Sequence, residues 1–240
     1  MGASSSALAT EMSSAIAQVC LEASTDVYLP RHARRRMLPG SHDSWLYVSA
    51  ESNDTTAVYK SSTALEMIVA FRGTSNLRDV LQWSNIAFRS DDQVSRYQDG
   101  LAYFERLRRR HPAIRNWICT GHSMGALIAR YVAARTHTKA IVFAEPVIPT
   151  KKQPNNPVPT DSYMVEGDAV GKFGSTRDRI LLPKQSGSAC KRATSTGPWT
   201  ALGTALAAAA AGPLAAAAVN RTLSALAAHR LNTYRACLKK

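Results

Sequence analysis

Short, uninterrupted apolar runs alternate along the chain with charged segments in which apolar residues recur at helical spacing. Residues 66–74 and 139–147 contain such runs, which are typical of strands buried on both faces of a parallel sheet. Between them, residues 93–110 predict an amphipathic helix that stops before Pro112. The apolar face of this helix consists of Val94, Tyr97, Leu101, Phe104 and Leu107.

Shorter patterns predict the remaining elements. Residues 45–48, 57–60, 162–166 and 179–182 are each bounded by turn residues and predict short strands. The Ala-rich residues 1–25 predict an N-terminal helix, with apolar side chains near helical spacing at Leu8, Met12, Ile16 and Val19. Strands that alternate with helices in this way predict an α/β fold with a mostly parallel central sheet and helices on both faces.

A chain of 240 residues suits one such domain, so we assign residues 1–240 to it. The Ala-rich stretch at 199–228 predicts a further helical segment. Residues 199–220 carry no charge, which would also fit a membrane span or a cap that dips into lipid. However, Ala contributes little transfer free energy and Gly212-Pro213 interrupts the run, so we expect two helices that meet there.

The chain is strongly basic, with a formal net charge of +13. This balance favours contact with polyanions, and we expect contact with an anionic membrane surface. The alternative is that the charges only keep the protein soluble. Residues 31–36 hold four arginines and present the same choice between a solvated loop and a lipid-headgroup patch. No basic-aromatic motif accompanies the charge, so we predict no nucleic-acid partner.

The N-terminus lacks the pattern of a secretory signal peptide, and it fits the N-myristoylation pattern at Gly2. We therefore expect an intracellular protein, with acylation of Gly2 and an ordinary flexible terminus as the two alternatives for that residue. The widely spaced Cys20, Cys119, Cys190 and Cys237 form neither a zinc pattern nor a disulfide framework. No metal and no organic cofactor is expected.

The candidate chemistry centres on residues 117–132, where a short apolar run leads into the pattern G-x-S-x-G and then into a helix. Gly121 and Gly125 let the backbone turn sharply between strand and helix, which leaves the Ser123 hydroxyl exposed at the helix N-terminus. This is the pattern of a nucleophile elbow, and it predicts Ser123 as a catalytic nucleophile.

A serine hydroxyl needs a base to take its proton, and in folds with such an elbow the chain order is Ser, acid, His. Of the two histidines that follow Ser123, His137 comes so soon after the elbow helix that it should lie at the far end of the sheet. His229 is therefore the expected base. Asp168, directly after a predicted strand, is the expected acid, and Glu145 at the end of the preceding strand is the alternative.

The oxyanion that develops on the substrate needs hydrogen-bond donors. The backbone N–H of Met124 is the expected first donor, because it belongs to the residue after the nucleophile. Thr74, in the loop after an earlier strand, is the expected second donor. We expect His122 to be turned away by the elbow and to have a structural role.

Four ordered segments resemble motifs of the class 3 (fungal-type) lipases. Residues 69–77 are similar to the FRGT segment, residues 97–101 and 121–125 to the run up to the GHSLG elbow, residues 167–170 to the D-x-V after the acid's strand, and His229 with Tyr234 to the H-x₄-Y at the catalytic histidine. The resemblance implies an α/β-hydrolase fold and an oxyanion role for the residue after the glycine of FRGT, which is Thr74 here.

The resemblance also implies a lid over the cleft at residues 76–88, with apolar side chains at Leu77, Val80, Leu81 and Trp83. Those side chains could instead belong to the core. Two positions depart from the family's pattern. Trp83 or Ser84 stands where the family often has an Asp that supports the oxyanion residue, and Ala126 replaces the second glycine after the elbow.

Together these predictions describe a serine carboxylic-ester hydrolase that acts on lipid esters, of lipase or phospholipase A type. Ser123 would attack the carbonyl, His229 would carry the proton and Asp168 would orient His229. The alternatives are a small-ester or thioester hydrolase without lipid preference, and a catalytically silent lipid-binding protein that keeps the fold. The ester, the position cleaved and the oligomeric state stay open.

Overall fold

The computed structural model describes residues 5–39, 44–73, 94–145, 159–165 and 179–182, together with Leu231, Tyr234, Arg235 and Leu238. The helices in these ranges are α1 (Ser5–Asp26), α2 (Ser95–Arg110) and α3 (Met124–Thr136). The strands are β1 (Met37–Pro39), β2 (Ser44–Tyr47), β3 (Thr56–Ser61), β4 (Glu66–Phe71), β5 (Asn116–His122), β6 (Lys139–Phe143), β7 (Thr160–Val165) and β8 (Arg179–Leu182).

These strands form one sheet whose order follows the chain from β1 to β8. The first four strands make an antiparallel meander, and β4 to β8 run parallel to one another. The predicted α/β fold with a mostly parallel sheet is therefore confirmed. Because the carboxyl ends of parallel strands meet at one edge, the segments that follow β4, β5, β6 and β7 all begin at the same edge of the sheet.

Helices cover both faces of the sheet, as predicted. On one face α1 packs with Leu231, Tyr234 and Leu238, and on the other face α2 and α3 lie together. The strands alternate between the two cores. In β4, for example, Ile68 belongs to the α1 side, whereas Val69 belongs to the side of α2 and α3. This arrangement explains the continuous apolar run of the strand, because both of its faces are buried.

A buried polar cluster anchors α1. Asp26 is almost fully buried and accepts hydrogen bonds from the Tyr59 hydroxyl at 2.8 Å and from the Arg35 backbone and side chain at 2.9 and 2.8 Å. One turn earlier, Glu22 receives Arg35 and Arg235, each at 2.7 Å. Burial opposes ionisation of Glu22, but the hydrogen bonds from these two arginines outweigh it and lower its pKa. The cluster ties α1 to a loop and to the C-terminal region.

Three arginines of the run at 31–36 bind groups of the protein itself. Arg34 is buried and donates to the carbonyl oxygens of Leu29, Val27 and Thr56. Arg35 belongs to the cluster just described, and Arg31 donates to the Ser49 carbonyl at 2.9 Å. The run therefore includes structural cations as well as the exposed His32 and Arg36.

The elements match the predictions closely, with one addition. Strand β1 has no counterpart in the sequence analysis, since three residues that end at a proline carry little periodicity. The helical segment predicted at 199–228 and the patterns at Gly2, Cys190 and Cys237 lie outside the described residues. Within the described part of the chain, no helix combines the length and apolar character that crossing a membrane requires.

Candidate active site

The backbone at Ser123 forms a strained strand-to-helix turn. Strand β5 ends at His122 and α3 begins at Met124, so Ser123 occupies the N-cap position, with φ 57° and ψ −127°. A positive φ is uncommon for a residue with a side chain, and such strain concentrates at functional sites. Ser123 is partly exposed, while His122 and Met124 are buried. The predicted elbow conformation is therefore present.

Two glycines make this turn sterically possible. A Cβ atom on Gly121 would lie 2.4 Å from the carbonyl carbon and oxygen of Gly125, and one on Gly125 would lie 2.1 Å from the Phe71 carbonyl oxygen. These distances are far below van der Waals contact, so neither position accepts a side chain without a backbone shift. The close approach brings the start of α3 against the end of β4.

Hydrogen bonds hold the elbow to the neighbouring strand. The Ser123 N–H donates to the Phe143 carbonyl at 3.1 Å, and the Ala126 N–H donates to the Ser123 carbonyl at 2.9 Å. The next residue after β6, Ala144, also has a positive φ of 49° and donates its N–H to the Tyr163 carbonyl at 3.1 Å. The carboxyl edge of the sheet is thus held by bonds that pass from β5 to β6 and from β6 to β7.

The end of β4 lies directly against the elbow, where the oxyanion hole is predicted. A Cβ on Gly73 would lie 2.5 Å from the His122 carbonyl oxygen and 3.3 Å from the Gly125 nitrogen. Met124 is the first residue of α3, so its N–H is one of the helical amides that lack an acceptor within the helix. Gly73, the residue that precedes the predicted second donor in the sequence, is therefore already in contact with the elbow.

Arg96 braces this contact from α2. Its guanidinium donates to the Arg72 carbonyl at 2.8 Å and lies 3.9 Å from the Met124 Sδ atom. One side chain thereby touches both the residue before Gly73 and the residue after Ser123. This contact links the two segments from which the predicted oxyanion donors come.

Glu145, the alternative acid, is engaged by other groups. Its two carboxylate oxygens lie 3.1 and 3.0 Å from Arg130 Nη1, and the Ser162 hydroxyl donates to it at 3.3 Å. The carboxylate is almost fully buried. Through these bonds Glu145 connects the end of β6 to α3 and β7. Because its carboxylate is already paired with an arginine, it is a poor partner for the imidazole of a catalytic histidine.

The histidines near the elbow have the orientations that the sequence predicts. His122 is buried on the α1 side, where its ring contacts Tyr28 and Tyr234, each at a centroid distance of 6.3 Å. His137 caps the C-terminus of α3, at the opposite end of that helix from Ser123. Neither histidine takes the position of a base for Ser123.

The remaining predicted site residues lie outside the described residues: Thr74, Asp168, His229, Leu77, Val80, Leu81 and Trp83. Their roles stay predictions. Sequence reasoning singled out neither Arg96 nor Tyr28, although both contact the elbow. Arg96 is next to residues 97–101, which resemble a motif of the family, and this is a weak signal. No sequence pattern around Tyr28 indicates that it contacts the elbow.

A polar cavity of about 540 Å³ opens beside the end of β4. Phe71 and Arg72 line it from β4, while Thr55 and Thr56 line it from the start of β3. The α2 side chains that line it include Ser95, Arg96, Asp99, Tyr103 and Arg106. Three arginines and several hydroxyls line this cavity together with one carboxylate, that of Asp99, so cationic side chains outnumber anionic ones there.

The described residues contain no cluster of three or more His, Cys, Asp or Glu side chains that could hold a metal ion. Cys20 and Cys119 are free and fully buried. Burial raises the pKa of Cys119 to about 12 and that of Cys20 still further, so neither thiol is a nucleophile at neutral pH.

No protein-family model matches the chain, and no curated protein matches it in sequence. Solved structures of fungal lipases do resemble it in fold. The Rhizomucor miehei lipase propeptide complex shares 12% identity, with 76% of this chain and 70% of that chain covered at a TM-score of 0.44. A triacylglycerol lipase from Penicillium expansum shares 12% identity over 72% and 81% of the two chains, at 0.40. The Lip2 lipase from Yarrowia lipolytica shares 10% over 75% and 80%, also at 0.40.

The chain's own sheet and elbow define an α/β-hydrolase fold. The comparisons assign no role to the site residues, so these roles have to be assigned from the chain itself.

Proposed function

We propose that this protein is a serine carboxylic-ester hydrolase that acts on lipid esters, of lipase or phospholipase A type. The observation that carries the proposal is the strained elbow at Ser123, packed against the glycine at the end of β4. A structural serine has no need of a positive φ and two sterically required glycines. Such a turn presents a hydroxyl at the carboxyl edge of the sheet, where catalytic groups of open α/β sheets collect.

In the proposed reaction, Ser123 Oγ attacks the ester carbonyl carbon and its proton passes to His229. The tetrahedral oxyanion accepts hydrogen bonds from the Met124 N–H and from Thr74. The alcohol leaves with the proton from His229, and an acyl-enzyme remains. Water then attacks the acyl carbon by the same route, which releases the acid and restores Ser123.

Three observations support the choice of acid and base. Strand β7 ends at Val165, at the same sheet edge as Ser123, and Asp168 comes three residues later in the sequence. Tyr234, which follows His229 in the segment that resembles the family, packs against the rings of His122 and Phe143. The pairing of Glu145 with Arg130 favours Asp168 over Glu145 as the acid.

A fluorophosphonate probe tests the central claim, because it bonds covalently to an activated serine. We expect the wild-type protein to be labelled at one site and the Ser123→Ala variant to be unlabelled, with ester hydrolysis reduced by about 10⁴-fold or more. Ser49→Ala is the matched control, since Ser49 also begins a helical turn but is exposed and does not line the cavity beside β4. A folded wild-type protein that is neither labelled nor active would favour the catalytically silent lipid-binding alternative.

An ester panel separates lipid hydrolase from small-ester or thioester hydrolase. We expect kcat/KM to rise with acyl chain length and to include phospholipid. We also expect the rate to rise above the critical micelle concentration of the substrate, because the proposed lid at residues 76–88 would open at an interface. A flat chain-length profile with no interfacial rise would favour the small-ester alternative.

A further inference from the structure

Tyr28 lies where the turn at Ser123 meets the backbone of Gly73. It follows the end of α1 and is partly buried, with its ring edge-on to His122. Its hydroxyl lies 3.4 Å from His122 Nδ1 and 3.4 Å from the His122 carbonyl oxygen. That carbonyl belongs to the peptide group that ends in the Ser123 nitrogen.

The same hydroxyl also closes the space around Gly73. A Cβ on Gly73 would lie 2.3 Å from Tyr28 Oη, nearer than to any other atom around it. The next two nearest atoms are the His122 carbonyl oxygen at 2.5 Å and the Gly125 nitrogen at 3.3 Å. The Tyr28 hydroxyl, the His122–Ser123 peptide group and the backbone of Gly73 therefore share one contact point.

We propose that Tyr28 is a positioning residue, whose hydroxyl sets the spacing between the nucleophile turn and the loop that follows β4. This inference rests on the proposed function. The hydroxyl holds the carbonyl of the peptide group that enters Ser123 and limits how far Gly73 can move toward the turn. In this way it fixes the distance between the Met124 amide and the donor expected after Gly73.

This spacing matters because oxyanion donors act only over a narrow range of distance. Donors must lie about 2.7–3.1 Å from the developing oxyanion, and a displacement of about 1 Å can cost up to about 10²-fold in rate. Arg96 holds the same two segments from the α2 side, through the Arg72 carbonyl and the Met124 side chain. Tyr28 is the corresponding contact from the α1 side.

The test removes only the hydroxyl, by Tyr28→Phe. We expect kcat to fall by roughly tenfold while KM changes by less than about twofold, since the effect acts on the transition state. The rate of fluorophosphonate labelling of Ser123 should fall by a similar factor, because the phosphonyl oxygen occupies the oxyanion hole. The melting temperature should change little, because the hydrogen bonds lost are long.

Tyr131→Phe is the matched control. The Tyr131 hydroxyl accepts a 2.8 Å hydrogen bond from Gln98, and Tyr131 lies farther along the same helix as the elbow. We expect this variant to lose stability without losing kcat or labelling rate. Tyr28→Leu, which also removes the ring, separates the hydroxyl from the packing of the aromatic side chain.

The outcomes distinguish this inference from the proposed function. An active wild type with a Tyr28→Phe variant of equal kcat and labelling rate overturns the positioning role and leaves the proposed function intact. A loss that appears only in Tyr28→Leu assigns the effect to ring packing and overturns the role of the hydroxyl. A wild type that neither labels nor hydrolyses any ester overturns the proposed function, and the inference with it.

Discussion

At the scale of single residues, the site depends on three glycines, because no side chain fits at their positions. Gly73, Gly121 and Gly125 approach one another so closely that an added Cβ at any of them would overlap backbone or the Tyr28 hydroxyl. Ser123 meanwhile keeps a positive φ that costs on the order of 1–3 kcal/mol. The surrounding contacts must supply that free energy, so the elbow is coupled to the packing of β4 against α3.

Gly125→Ala tests this coupling. The new Cβ would lie 2.1 Å from the Phe71 carbonyl oxygen and 2.9 Å from the Gly73 nitrogen. We expect α3 and the loop after β4 to move apart, with a loss of about 10²-fold or more in kcat/KM and about 1–3 kcal/mol in the free energy of unfolding. Ester hydrolysis and urea unfolding measure the two effects.

Ala126→Gly is the control for this substitution, because it changes the next residue in the opposite direction. It should cost about 1 kcal/mol through helix propensity and retain activity. A Gly125→Ala variant with wild-type activity would mean that the elbow does not need its contact with β4.

At the scale of elements, α1 is attached to the sheet by charge as well as by apolar packing. Glu22 and Asp26 lie one turn apart on this helix, and both bind Arg35. Glu22 also binds Arg235 from the C-terminal region. Since Tyr28 comes two residues after the end of α1, the position of its hydroxyl depends on this attachment.

The ion cluster predicts a pH dependence of stability. The pKa of Glu22 is lowered in the folded state, so its contribution is fully present above its ordinary value of about 4.5 and is lost as pH falls through the lowered value. We expect Glu22→Gln to cost about 1 kcal/mol at pH 7, in the range of partly exposed ion pairs. The difference from wild type should shrink at pH 3, as urea unfolding at both pH values would measure.

Glu66→Gln provides the comparison, since the Glu66 carboxylate accepts an exposed hydrogen bond from the uncharged Asn116 amide. Its effect should be smaller at pH 7. A Glu22→Gln variant as stable as wild type at neutral pH would show that the cluster contributes nothing net to the attachment of α1.

At the scale of the whole molecule, the chain has a net charge of +13, and its arginines have different roles. Arg34, Arg35, Arg130 and Arg235 bind carbonyl or carboxylate groups of the protein itself. Others are exposed on α2, and Arg106 among them lines the cavity beside β4. If the substrate is a phospholipid, this cavity is where we expect its headgroup phosphate to bind.

Arg106→Gln tests that expectation. Arg106 is exposed and its guanidinium lies 5.3 Å from the centre of the Tyr103 ring, so its loss should leave the fold intact. We expect kcat/KM for an anionic phospholipid to fall by about three- to tenfold, while that for a neutral ester of equal chain length stays unchanged. Arg109→Gln makes the same change of charge on the same helix, outside the residues that line the cavity. Equal effects of both variants would indicate general electrostatic attraction instead of a headgroup site.

Much of this molecule follows from local pattern. The apolar runs, the helical spacing of residues 93–110 and the G-x-S-x-G turn identify most of the strands, the helices and the proposed nucleophile without any knowledge of distant contacts. This is possible because burial on both faces of a strand and steric limits at a sharp turn act on neighbouring residues. The edge strand at 179–182 was predicted with the bounds that the structure has.

Only the tertiary structure decided how distant groups are used. It pairs Glu145 with Arg130, buries Arg34, pairs Arg35 with Asp26, and brings Tyr28 and Arg96 to the elbow. These contacts join residues that are far apart in the chain or whose spacing follows no regular period. A local pattern carries no information about such contacts, because their free energy depends on the complete packing of helices on the sheet.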